Sequence, residues 1–202
     1  MELKEIRERM HDGRLYPCSE QALVSLQEQS AEVLWELNQT RPSEGEKRDR
    51  LLRQLLGAVG EDCYVTLPFH VSWGCFVRMG SHVYANSNLT LVDDTWINIG
   101  DYVMFGPNVT VCTATHPVDP ALRKHKIEYN LPITIGSNVW LGGGVFLMPG
   151  VTIGENSIIG ANSVVTHDIP ANVIAVGSPA RVLRPITEED SRQYHHGRPV
   201  DP

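Results

Sequence analysis

Cysteine is scarce: Cys18, Cys63, Cys75 and Cys112 are the 4 in 202 residues, far apart and without a C-x-x-C pair. A disulfide framework or thiolate zinc site is therefore excluded as the organising principle, and the four read as reduced, buried thiols. Positive charge is also short. Seventeen Lys plus Arg against 24 Asp plus Glu leave a formal charge of -7, too acidic for the broad basic surface that a nucleic-acid partner requires. No apolar run reaches the roughly 18 residues of a spanning helix, so no membrane partner is expected. The opening MELKEIRERMHDGR is charged and amphipathic and lacks the apolar region of a signal peptide, which points to a cytoplasmic protein. H-E-x-x-H and G-x-S-x-G are both missing, which removes support for a zinc protease helix and for a hydrolase serine. Gly142–Gly144 lacks the Lys and Ser/Thr of a P-loop, and the third glycine of a dinucleotide fingerprint would fall at Leu147.

With 42% hydrophobic residues, 20% charged residues, 17 Gly and 13 Pro, the chain reads as globular, one domain plus a modest extra element. The extra element is residues 1–58. Leu3, Ile6 and Met10 share one helical face closed by Gly13, and Leu23, Leu26, Val33, Leu34 and Leu37 stripe a second helix. After Pro42, Ser43 and Glu46 form a capping box before Leu51, Leu52, Leu55 and Leu56, predicting a third helix that ends near Gly57 or Gly60.

From Val65 onward the period becomes six. Ile133, Val139, Val145 and Val151 are followed in phase by Ser157, Ser163 and Ile169, while Ile135, Leu141, Leu147, Ile153, Ile159 and Val165 run two residues later. The same rows continue upstream as Ile97, Val103, Val109 and as Ile99, Phe105, Val111. A further set, Val65, Val71, Val77, Val83, Leu89 with Leu67, Trp73, Met79, Ala85, Leu91, keeps the step but not the phase, which places an insertion of two residues around Val92-Asp93-Asp94. Two apolar residues one position apart make a short strand, and the intervening Gly or Asn tolerates positive φ at a corner. One strand and one corner per hexapeptide specify a parallel β-helix over 59–185, mainly β in class, rather than a sandwich with strands every 8–12 residues. Its open end calls for a cover, which the N-terminal helices supply. Residues 186–202 end in a polar segment expected to be loosely ordered.

The lattice is interrupted by an external loop, 113–132, longer than compact domains usually tolerate unless the loop is functional. It carries His116, with Pro117 limiting its direction, and His125. Histidine is the side chain most often used for proton transfer near neutral pH, which makes His116 a candidate general base.

YANSNLTLVDD (84–94), TATHPVDP (113–120), PITIGSNVWLGGGVFLMPGVTIG (132–154) and VGSPARVLR (176–184), with RLY (14–16) and PSEGEKRDRLL (42–52), resemble the maltose and galactoside O-acetyltransferases. The resemblance implies a left-handed parallel β-helix with a small N-terminal helical cap, assembled as a homotrimer with acetyl-CoA in the subunit crevices. It implies acetyl transfer to a hydroxyl of a mono- or disaccharide, by direct attack on the thioester and without a metal. His116 would be the general base, and Asn86 would hydrogen-bond at the acyl and acceptor centre. Ser72, Tyr84 and Asp94 would line the sugar pocket. Gly143, Ala161 and Thr166 would contact the coenzyme, and Arg181 and Arg184 would meet its nucleotide phosphate.

Three positions depart from the galactoside-specific pattern. Cys18 stands where an acidic sugar contact occurs, with Glu20 nearby, Glu128 replaces an apolar loop residue that touches the acceptor, and His167 replaces a common Lys beside the coenzyme. Three rival readings are weighed against this one. They are acetylation of a non-sugar alcohol, a non-catalytic β-helix scaffold, and a metal-dependent carbonic-anhydrase-like protein drawing on His70, His82, His116 and His125. The last has no three-ligand spacing to support it.

Overall fold

The computed structural model describes residues 2–201. Three helices come first: α1 (Leu3–Asp12), ended by Gly13 at φ 79°, α2 (Gln21–Asn38) and α3 (Gly45–Leu55). The capping box at Ser43 and Glu46 does not form. Glu44 holds the N-cap of α3 without a side-chain cap bond, because its carboxylate instead accepts from the Arg41 N–H at 2.7 Å in the preceding turn.

The remainder is a parallel β-helix of three faces. The first face stacks Ala58–Val59, Val77–Met79, Ile97–Ile99, Ile133–Ile135 and Thr152–Ile153; the second begins with Tyr64–Val65, Tyr84–Ala85, Met104–Phe105, Trp140–Leu141 and Ile158–Ile159; the third stacks Phe69–Val71, Leu89–Val92, Thr110–Cys112, Phe146–Leu147 and Val164–Val165. Each strand pairs in parallel with its counterpart in the next coil, so Tyr84 lies over Met104 and Met104 over Trp140. An antiparallel hairpin, Val173–Gly177 with Ala180–Pro185, closes the second face.

The step-of-six residues fill the interior: Ile133, Val139, Val145, Leu141, Leu147 and Ile153 are fully enclosed, as are Ser157 and Ser163. Near the first coil the pattern slips. Leu67 and Val71 are only half-buried, and Phe69 takes the inner place that a strict step assigned to Leu67. The cause is a second two-residue insertion, at 72–76, besides the one at 92–96. Ala58 pairs with Arg78 and Arg78 with Asn98, 20 residues apart, whereas Thr134 pairs with Thr152, 18 apart.

Helices α2 and α3 cover the open end, where Leu37, Leu51, Leu52, Leu55 and Leu56 join the interior of the prism. The Asn38 amide completes the seal by accepting from Phe69 N–H (2.9 Å) and donating to Phe69 C=O (2.8 Å), as a neighbouring strand would. Helix α1 instead packs Ile6 and Met10 with Tyr16, Leu23, Trp73 and Phe76 into a second cluster beside the third face. The four cysteines are free; Cys18, Cys63 and Cys112 are half-buried, but Cys75 is exposed, since the widened turn at 72–76 carries it outward. The tail is more structured than its composition suggests. Thr187 and Asp190 form a capping box on the 3-10 turn Glu188–Ser191, and Gln193–Tyr194 pairs with Arg198–Pro199. No helix of the described residues is long and apolar enough to cross a membrane.

Candidate active site

Both insertions and the long loop fall at one corner, where the third face turns into the first. There Thr113 leaves the prism and Ala114–Thr115 runs outward. Asp119 caps the short helix α4 (Pro120–Lys124) by accepting from Ala121 N–H, and Pro120 sits in the first turn, where no N–H is needed. The chain returns as Ile127–Asn130, antiparallel, with Ala114 opposite Asn130 and Thr115 opposite Tyr129. The other edge of that strand takes Tyr16–Pro17, with Tyr16 opposite Glu128. A three-stranded sheet thus hangs on the corner and folds His116 back against Glu128.

His116 Nδ1 lies 2.8 Å from the Ile127 carbonyl. A carbonyl only accepts, so Nδ1 carries the proton and Nε2 keeps its lone pair. Nε2 is 3.9 Å from Glu128 Oε2. Glu128 is only 7% exposed, and Tyr16 donates its hydroxyl to Oε1 at 2.5 Å. Burial and the Glu128 charge push the Tyr16 phenol far up, so it remains a donor. Asn130, fully enclosed, donates through Nδ2 to Tyr16 Oη (2.9 Å), the Asp94 carbonyl (3.0 Å) and the Met10 carbonyl (3.2 Å). Asp94 is raised to about 6, first by burial and then by Glu128, while Trp73, Ser72 and His116 hold it down. Its neighbour Asp93 is wholly enclosed and raised to about 7, chiefly by burial. Cys18 donates to the Lys126 carbonyl at 3.1 Å, and burial with the Glu128 charge pushes its thiol up to about 11.

Of the residues singled out in the sequence, Cys18, Ser72, Asp94, His116 and Glu128 therefore share this third corner. Tyr84, Asn86, Gly143 and Ala161 do not. They lie at the end of the second face and on the corner that follows it, separated by about five residues of extended chain, roughly 16 Å. Asn86 accepts from Ser87 N–H at 2.8 Å, and Gly143 sits beside Pro107 of the coil above. Thr166 and His167 occupy the third corner further along the prism, their side chains 2.8 Å apart, and His167 shares an open cleft with Asp168 and Arg181. Arg184 is already engaged, its guanidinium paired with both Asp190 oxygens at 2.6 and 2.7 Å.

Tyr16, Trp73, Asp93 and Asn130 are site residues that sequence reasoning did not select. The adjacent acidic pair in LVDD was the one available signal for Asp93, whereas Tyr16 and Asn130 are 114 residues apart in the chain. Among the described residues no cluster of three or more His, Cys, Asp or Glu side chains could hold a metal ion, so His70, His82, His116 and His125 do not converge.

Residues 9–60 match the maltose acetyltransferase hexapeptide capping motif, and residues 132–167 match the bacterial transferase hexapeptide family of six repeats. A galactoside O-acetyltransferase of Lactococcus lactis is 47% identical over 194 residues, 96% of this chain and 94% of that protein. Among solved structures, a galactoside acetyltransferase in complex with coenzyme A superposes with TM-score 0.95 at 43% identity, covering 98% of both chains. A maltose O-acetyltransferase from Clostridium difficile superposes with TM-score 0.88 at 43% identity, over 90% of this chain and 97% of that one.

Proposed function

The chain belongs to the maltose and galactoside O-acetyltransferase family and is an acetyl-CoA-dependent sugar O-acetyltransferase, and on that premise we propose that His116 is its general base. The observation that carries this is the Nδ1–H bond to the Ile127 carbonyl, which fixes the tautomer and leaves Nε2 able to take a proton. A sugar hydroxyl held by Asp94 and Ser72 donates to Nε2. As its oxygen attacks the thioester carbonyl, the new C–O bond forms, the C–S bond breaks, and the proton passes through Nε2 to the departing thiolate. Glu128, 3.9 Å from Nε2, favours the imidazolium during transfer. No covalent enzyme intermediate is needed, only alignment and a donor for the developing oxyanion. The backbone N–H of Gly143 takes that role, and Asn86 orients the acyl end.

The donor is held between copies, by Gly143 and Ala161 on the corner after the second face of one and by Thr166 and His167 on the third corner of another. Arg181 meets a phosphate, and Arg184 does so once it releases Asp190. In a single chain the acceptor corner and the Asn86–Gly143 corner stand a full face apart, so one site needs corners from two copies. This separation supports a homotrimer, and the exposed ladder Tyr64, Tyr84, Met104 and Trp140 on the second face offers the apolar surface to bury. An acetyl-CoA donor and unpaired cysteines suit the cytoplasm. A panel of glucosides, galactosides, maltose and simple alcohols, assayed by release of free thiol, tests the reading alongside sedimentation. Sugar-dependent release by a trimer is expected. Equal release with every alcohol, or full activity as a monomer, would overturn it.

A further inference from the structure

The turn at 72–76 contains an arrangement the reaction above does not use. Asp93 Oδ1 accepts from the Ser72 N–H at 3.0 Å and the Trp73 N–H at 2.8 Å, while the next residue, Asp94, accepts at Oδ1 from the Trp73 indole N–H at 3.0 Å. Two consecutive carboxylates thus grip one tryptophan, Asp93 by its backbone and Asp94 by its ring. The grip crosses from one coil to the next. It exists only because both coils carry two extra residues at this corner.

Trp73 is 6% exposed, so it does not touch an acceptor. Its ring rests at 5.7 Å from Phe76 and packs with Met10 and Leu23 of the cap. That backing restricts the indole, and a donor braced in this way favours one position of its acceptor. Without it, Asp94 would have only the Ser72 hydroxyl and the His116 ring to set against the Glu128 charge on the returning strand. We infer that Trp73 is a positioning residue for the acceptor: held by Asp93 and braced by the helical cap, it fixes the Asp94 carboxylate beside Ser72 at the sugar pocket. The inference rests on the reading of Asp94 and Ser72 as acceptor-site residues. It gives the helical cap a part in substrate selection.

The groups facing Asp94 are Asp93 beside it, Glu128 and His116 from the loop, Tyr16 and Cys18 from the N-terminal strand, and Cys112 from the third face. None of them supplies the donor that Trp73 does. Trp73→Phe removes the N–H and keeps most of the packing. Trp73→His restores an N–H, because imidazole Nε2 occupies the place of indole Nε1, but it fills less of the cluster and lowers Tm further. For Trp73→Phe the acceptor KM should rise about tenfold, as loss of a hydrogen bond to a charged group implies. The acetyl-CoA KM should stay within about twofold. The acid limb of kcat/KM for the acceptor should move to higher pH, since a group that holds Asp94 down is gone. Trp73→His should recover most of the acceptor KM despite its lower Tm. An acceptor KM that follows Tm through the series, or an unchanged KM and acid limb in Trp73→Phe, overturns the inference alone. Should Trp73→Phe not fold, Trp73→His against wild type decides by the same comparison. A wild-type protein that transfers acetyl to no sugar overturns the functional reading, and this inference with it.

Discussion

The first and third corners of the prism come from the same repeat and have opposite characters. At the first corner, between the first and second faces, Gly60, Gly80, Gly100, Gly136 and Gly154 recur, each followed two residues later by a residue in the left-handed region: Asp62, His82, Tyr102, Asn138 and Asn156. Its polar side chains bond along the stack. Asn138 donates to Asn156 at 3.0 Å and Asn156 to Asn172 at 2.9 Å. At the third corner the insertions differ from coil to coil, and they bury Asp93, Thr95, Thr113, Glu128 and Asn130. Asp93 Oδ2 and Asn130 Oδ1 are enclosed there without a hydrogen-bond partner among the described residues. Periodicity stabilises the first corner. At the third corner it is given up, and charge is held at a cost in stability.

His116→Ala should break the comparison most sharply. Loss of a general base costs about 10²–10⁴ in kcat, and because His116 lies outside the prism interior, the melting curve should stay where it was. A stopped assay of thiol release beside a thermal melt checks both halves. Gly100→Ala should do the reverse. A Cβ there would stand 2.6 Å from Ser137 N and 2.9 Å from Gly136 C, a clash with backbone that costs about 3 kcal/mol in denaturant unfolding, with the rate per folded molecule retained.

Asp93→Asn sharpens the comparison through pH. The folded protein holds the Asp93 proton up to about pH 7, whereas an unfolded chain releases it near the ordinary aspartate value of 3.8. Stability from this group is therefore complete below the unfolded pKa and is lost as pH rises through the folded one. Wild type should gain about 2 kcal/mol relative to Asp93→Asn between pH 8 and pH 5; parallel unfolding curves at the two pH values would refute the burial account. Asn156→Ala, on the regular corner, should cost about 1 kcal/mol, from its left-handed backbone and two lost ladder bonds. It should leave every kinetic constant alone, and urea titration would detect the change.

The first corner was readable in the sequence and the third was not, for physical reasons that particular residues make plain. The strand Ile127–Asn130 shows it. By alternation, Ile127 and Tyr129 would be the inward pair, yet the fold buries Glu128 and Asn130. Those two are tolerable inside only because Tyr16 and the Asp94 carbonyl meet them, and neither partner is near them in the chain. The slip at Leu67 has the same character: a step of six ran through 71–77 unbroken in the sequence, while the pairing of Ala58 with Arg78 reveals two more residues in that coil. His116 was visible through the length of its loop and the proline behind it, but not its tautomer, which depends on a carbonyl 11 residues away. Arg184 was visible as an exposed cation, but not its tie to Asp190 in the tail.

By itself the sequence determined the prism, since an apolar pair every six residues can be buried only by stacking like on like. It also determined the helical cover, from stripes at helical spacing. Tertiary structure alone decided which corner became polar and which side chains hold the acidic groups there. Stacking reads only the residues within one repeat, whereas a buried charge is stabilised by whichever distant donors the closed fold sets around it.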